Sequence, residues 1–136
     1  MAAALYNNSS VTCSDKAMTP TIDDLVLEAL RARDRFWFVQ DLNIVERTNA
    51  TVTLHLTIGS DLFVQVFLSQ SSQRLSFALV GQSGRLYGRD HEHGKWHRHP
   101  FGHPEQHEPA FEGRSARPLT QFMAEVEEIL VEHDLL

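Results

Sequence analysis

The sequence predicts an α+β domain: an antiparallel meander sheet of about five strands, packed by an N-terminal and a C-terminal helix. Three observations predict it. Apolar residues recur at helical spacing near both ends of the folded region, while between them the period drops to two. The period-two runs are separated by turns rich in Gly, Ser and Asn. Those turns are too short for parallel crossovers, which need about a dozen residues or more.

Taken in order, residues 1–19 are small and polar with little to bury, and read as a flexible tail before a single domain over 20–136. Thr21 and Asp24 have capping-box spacing beside Pro20, which suits a helix start. Ile22, Leu25, Val26, Ala29 and Leu30 then share one helical face, and the helix is expected to end near Arg33. From Phe36 the alternation begins, with Phe36, Phe38, Leu42 and Ile44 as one inward row and Gln40 interrupting it. Arg47–Ala50 turns into the cleanest strand, where Val52, Leu54, Leu56 and Ile58 alternate with Thr51, Thr53, His55 and Thr57. Leu62, Val64, Val66 and Leu68 line a third strand, with Phe63 and Phe67 on its other face. A second copy, a partner or one helix would cover those two rings. Leu75, Phe77 and Leu79 mark a fourth strand, and Arg85–Gly88 a short fifth. Pro118 opens the closing helix, which carries Leu119, Phe122, Met123, Val126, Ile129 and Leu130 on one face. Its glutamates read as a solvated face, and His133 suits the negative end of its dipole.

Composition narrows the function. The 136 residues are 42% hydrophobic and 22% charged, as in ordinary globular domains. No apolar run approaches the roughly 20 residues of a membrane span. The first residues lack the basic flank of a secretory signal. Cys13, the one cysteine, allows no internal disulfide, so a reducing cytoplasmic setting is expected. The net charge of −6 argues against a general nucleic-acid binder. Its distribution is uneven, since residues 118–136 contain acidic side chains and no Lys or Arg. Residues 85–117 hold Arg85, Arg89, Lys95, Arg98, Arg114 and Arg117.

Six of the eight histidines fall within that same stretch: His91, His93, His97, His99, His103 and His107. Imidazole titrates near neutrality and ligates metals, so three chemistries compete. His91-x-His93 and His97-x-His99 would each present two rings on one side of an extended chain. With Asp90 or Glu92 they offer ligands to Zn or another divalent metal, although no His-Glu-x-x-His spacing is present. The second chemistry is metal-independent cleavage of RNA. It needs a base for the 2′-hydroxyl, an acid for the leaving oxygen and cations for the phosphate. His97, His99 and His103 suit the proton transfers, and Asp90 suits orienting one imidazole. Arg89, Lys95, Arg98, Arg114 or Arg117 would suit phosphate contacts, while Tyr87 and Trp96 suit stacking on unpaired bases. The third reading is a proline-bent loop without enzymatic chemistry, ordered by a protein partner. Pro100, Pro104, Pro109, Gly94 and Gly102 favour an irregular course, with Trp96 and Phe101 as anchors.

The layout resembles the TumE-like toxins of bacterial and archaeal toxin–antitoxin systems. The matching residues are Tyr87, Arg89 and Asp90, then Trp96-His97-Arg98-His99-Pro100, then Phe101-Gly102-His103-Pro104 and His107. The order of elements agrees over 36–136. The chain departs from the pattern in having no His-His doublet and no Asp-Asn pair. The resemblance implies a cytoplasmic, growth-inhibiting, RNA-directed toxin neutralised by a small antitoxin protein. By position it points to Arg89, Asp90, His97, His99, His103 and His107.

Overall fold

A computed structural model describes residues 20–110 and 117–136. The expected N-terminal tail, Cys13 and Arg114 lie outside the described residues. Helix α1 spans Ile22–Arg35 and is capped by Thr21, whose Oγ1 accepts from the Asp24 backbone N–H at 3.0 Å. Asp23 and Asp24 in its first turn, and Arg33 and Arg35 in its last, both complement the helix dipole. It runs two residues past the expected end at Arg33.

Seven strands follow: β1 Asp41–Arg47, β2 Thr51–Gly59, β3 Leu62–Ser69, β4 Arg74–Gly81, β5 Gly84–Glu92, β6 Lys95–His99 and β7 Glu108–Pro109. They form one sheet in sequence order, every neighbour antiparallel. Helix α2, Pro118–Glu132, closes the fold. The α+β class and the meander match the sequence reading, and the details differ at both edges of the sheet. At the first edge, Phe36 and Phe38 are buried in the connector rather than in a strand. Leu42 and Ile44 stay on the helix side, opposite Leu56 and Leu54, but Ile44 on this edge strand is 49% exposed, so the four apolar residues expected as one row are not one.

At the other edge, the first half of the histidine stretch is a hairpin and not an irregular loop. β5 continues through Arg89-Asp90-His91-Glu92, turns at His93-Gly94, and returns as β6. His93 and Gly94 have φ of 55° and 77°. Two left-handed residues give the two-residue turn whose twist fits antiparallel strands. Only Pro100–His107 is a loop.

The core lies between the sheet and the helices. Val52, Leu54 and Leu56, Val64, Val66 and Leu68, and Leu75, Phe77 and Leu79 are fully buried against Leu25, Leu119, Phe122, Met123 and Val126. Each such side chain contributes about 1.5–3 kcal/mol. α2 lacks a capping side chain of its own. Glu28 of α1 supplies one, accepting from both N and Oγ1 of Thr120 at 2.8 and 2.9 Å, so the two helices are joined where a carboxylate is most favourable. No described helix is long and apolar enough to cross a membrane. Both helices pack on one face of the sheet, and strand alternation assigns every other residue to the opposite face. That second face carries the candidate site.

Candidate acid-base site

Register brings the polar residues together. Ser76 pairs with Asp90 and Asp90 with His97, so these three form a lateral row on the face opposite the helices. In the next row His99 stands opposite Gly88. Gly88 has no side chain, and Arg85 lies against it: a Cβ there would sit 3.4 Å from Arg85 Cδ and 3.0 Å from the Phe77 carbonyl oxygen. The glycine is needed for this close approach, not for an unusual φ.

The centre is a buried Asp90–His99 pair. His99 Nε2 lies 2.9 Å from Asp90 Oδ2, and its Nδ1 lies 2.9 Å from the Pro104 carbonyl oxygen. A carbonyl only accepts, so Nδ1 carries a proton. The Nε2 contact then shares one further proton between imidazole and carboxylate. Ser76 Oγ donates to Asp90 Oδ1 at 2.7 Å, and Arg85 Nη1 stands 3.8 Å from Oδ2. Because Ser76 binds the carboxylate rather than the imidazole, this is not a serine-nucleophile arrangement. Both nitrogens of His99 are engaged within the fold. It therefore acts as a positioning group that ties the Pro100–His107 loop to β5.

Two further imidazoles remain accessible beside this pair. The His107 ring lies edge-on to His99 at 4.3 Å, and the His97 ring lies edge-on to His107 at 6.4 Å. His97 is half-buried and His107 exposed. With ring centroids 6.4 Å apart, the two imidazoles are near enough for both to exchange protons with one bound ligand. Lys95 is exposed on the same face, one alternate position along β6 from His97.

The other residues singled out in the sequence lie elsewhere. Tyr87, Arg89 and Trp96 are buried on the helix side of the sheet. Arg89 donates from Nε and Nη2 to the two carboxylate oxygens of Glu125 at 2.7 and 2.9 Å, and Tyr87 donates to Oε1 at 2.6 Å. Burial first, and then the Glu125 hydrogen bond, push the Tyr87 phenol well above its ordinary value. Trp96 packs on Phe77 and His91 at ring distances of 6.1 and 5.1 Å. Arg98, also helix-side, pairs with Glu108 across the strand at 2.9 Å. His103 is exposed in the loop, 3.8 Å from the Glu105 carboxylate. His91 is helix-side and buried, and desolvation lowers its pKa. Among the described residues singled out in the sequence, Asp90, Glu92, His97, His99 and His107 gather with Lys95 on one face.

Ser76, Arg85 and Glu125 were not singled out by the sequence reading. Ser76 and Arg85 become visible once the β4–β5 register is known. Glu125 departs from the solvated face expected for the glutamates of α2, because it reaches back to Arg89 on the sheet. Among the described residues no group of three or more His, Cys, Asp or Glu side chains is placed to hold a metal ion. No family model, curated protein or solved structure matches this chain.

Proposed function

We propose that this chain is a toxin-like component of a toxin–antitoxin system that cleaves RNA by metal-independent acid–base catalysis. The observation that carries the reading is the accessible His97–His107 pair set against the buried Asp90–His99 pair. One imidazole takes the 2′-hydroxyl proton while O2′ attacks phosphorus. The other gives a proton to the departing 5′ oxygen. The O2′–P bond forms as the P–O5′ bond breaks, leaving a 2′,3′-cyclic phosphate and a 5′-hydroxyl. Arg85 and Lys95 offset the charge on the phosphoryl oxygens. Asp90 and His99 position the loop that carries His107.

The test is incubation of purified protein with an RNA oligonucleotide and its DNA counterpart in the presence of a chelator. Cleavage of the RNA alone, with cyclic-phosphate ends, is expected. His97→Ala and His107→Ala should each slow it by about 10²–10⁴-fold. Expression without a partner should arrest growth, and the double variant should not. Intact RNA, or variants as active as the wild type, would remove the reading.

A second reading, a protein-interaction module, is favoured by a specific feature of β1. This edge strand exposes Ile44 and Val45, 49% and 55%, near Trp37 in sequence, which is 68% exposed. An open edge of this kind accepts a strand from a small antitoxin or from a second copy. A stable complex with the product of an adjacent gene, together with unchanged RNA, would favour this reading over the first.

A further inference from the structure

We infer that the central part of the open sheet face is a stacking platform for the bases of single-stranded RNA, built on Phe63, Phe67 and His55. The inference rests on the RNA reading and names the form of RNA the site takes. Phe63 and Phe67 stand on β3, on the face turned away from both helices, and each is only partly buried. The His55 imidazole lies over Phe63 with ring centroids 4.4 Å apart and planes 31° from parallel, and its Nε2 is held by Gln65 Oε1 at 3.0 Å. Hydrogen bonding and stacking thus fix an aromatic ledge before any ligand arrives, which lowers the ordering cost of binding.

The ledge is continuous with the acid-base site. Phe67 pairs with Ser76, Ser76 with Asp90, and Asp90 with His97, so one lateral row runs from the platform to the reacting imidazole. At roughly 4.8 Å per strand, Phe67 and His97 are about 14 Å apart. A strand stacked on Phe67 can therefore run directly to a phosphodiester at His97.

The polar groups between the edges suit the same occupant. The chain is net −6; register places Asp41 and Glu46 of β1 and Asp90 and Glu92 of β5 at the margins of this face, while alternation along β2, β3 and β4 places no carboxylate between them. It places there the hydroxyls of Thr51, Thr53, Thr57 and Ser76, together with Arg74. Aromatic faces, hydroxyl donors and flanking cations recognise an unpaired polyanion. Paired bases hide the faces that such rings stack on, so a duplex is excluded.

Fluorescence anisotropy with a labelled, non-cleavable 2′-O-methyl RNA 12-mer tests this. The single strand should bind at least ten-fold tighter than its duplex. Phe63→Leu and Phe67→Leu, which keep apolar bulk but remove the ring, should each weaken binding roughly ten-fold. Phe67→Tyr, which keeps the ring, should bind more tightly than Phe67→Leu, and thermal melts would show whether each variant remains folded. If RNA is cleaved while the folded Leu variants bind normally, the platform is wrong and the RNA reading stands. If the wild type neither binds nor cleaves RNA, both fall. Equal affinity for single strand and duplex would also overturn the platform.

Discussion

Removing the carboxylate of Glu125 would leave Arg89, 3% exposed, without its bidentate partner and Tyr87 without its acceptor. Breaking a buried ion pair from one side costs about 3–5 kcal/mol. Glu125 itself is 21% exposed at the side chain, so water reaches the site and Glu125→Ala should fall near the lower figure. Urea unfolding with an unchanged slope would measure it, and a loss under about 1 kcal/mol would show that the pair does not anchor α2. His91 gives a second residue-level expectation, on pH. Desolvation lowers its folded pKa from 6.5, so the unfolded chain binds the proton first as pH falls. Stability tied to neutral His91 is complete above pH 6.5 and declines through the window between 6.5 and the lower folded value. Relative to His91→Leu, the wild type should lose stability between pH 7 and 5. A difference independent of pH would contradict this. Neither residue was legible from the sequence, for a shared reason. Buried Arg89 and His91 break the alternation of β5, while Glu125 looks like any exposed glutamate until the strand beneath it is known.

The hairpin of β5 and β6 shows the same difficulty at the level of an element. β2 was readable because its helix-side positions, Val52, Leu54 and Leu56, are all apolar and its other positions polar. On β5 both faces are polar beyond Tyr87, and prolines downstream make the whole segment read as loop. The His93-Gly94 turn carried the remaining signal, since glycine at the second turn position is the commonest mark of a two-residue hairpin. Gly94 has open space where a Cβ would stand, so Gly94→Ala meets no clash and its cost is conformational alone. That variant should lose about 1–2 kcal/mol, the penalty for a left-handed L-residue. His93 is 89% exposed at its side chain, and His93→Asn, better suited to φ of 55°, should hold or raise stability. Thermal unfolding of the two variants checks both signs. The hairpin also sets the register that aligns Asp90 with His97, so Gly94→Ala should affect RNA cleavage as well as stability.

Across the whole molecule, the sheet stands between the carboxylates of α2, which are Glu125, Glu127, Glu128 and Glu132, and the cations Arg74, Arg85 and Lys95, which share the opposite face with Asp41, Glu46, Asp90 and Glu92. The linear sequence showed an acidic end and a mixed, histidine-rich middle. It did not show which face each charge would occupy, because that follows from strand register. Under the proposed RNA reading, an anionic strand on the open face would have the sheet between it and the carboxylates of α2. The cations of that face also set an expected salt response. If Arg74, Arg85 and Lys95 each neutralise one phosphate, the logarithm of the affinity for single-stranded RNA should fall against the logarithm of salt concentration with a slope of roughly −2. Between 50 and 200 mM salt the affinity should then drop roughly 20-fold. Charge reversal at Lys95, which is exposed at the hairpin, should flatten that slope while leaving thermal stability unchanged. A wild-type slope near zero would mean that phosphate contacts do not hold the strand, and would leave stacking on Phe63 and Phe67 as its only source of affinity.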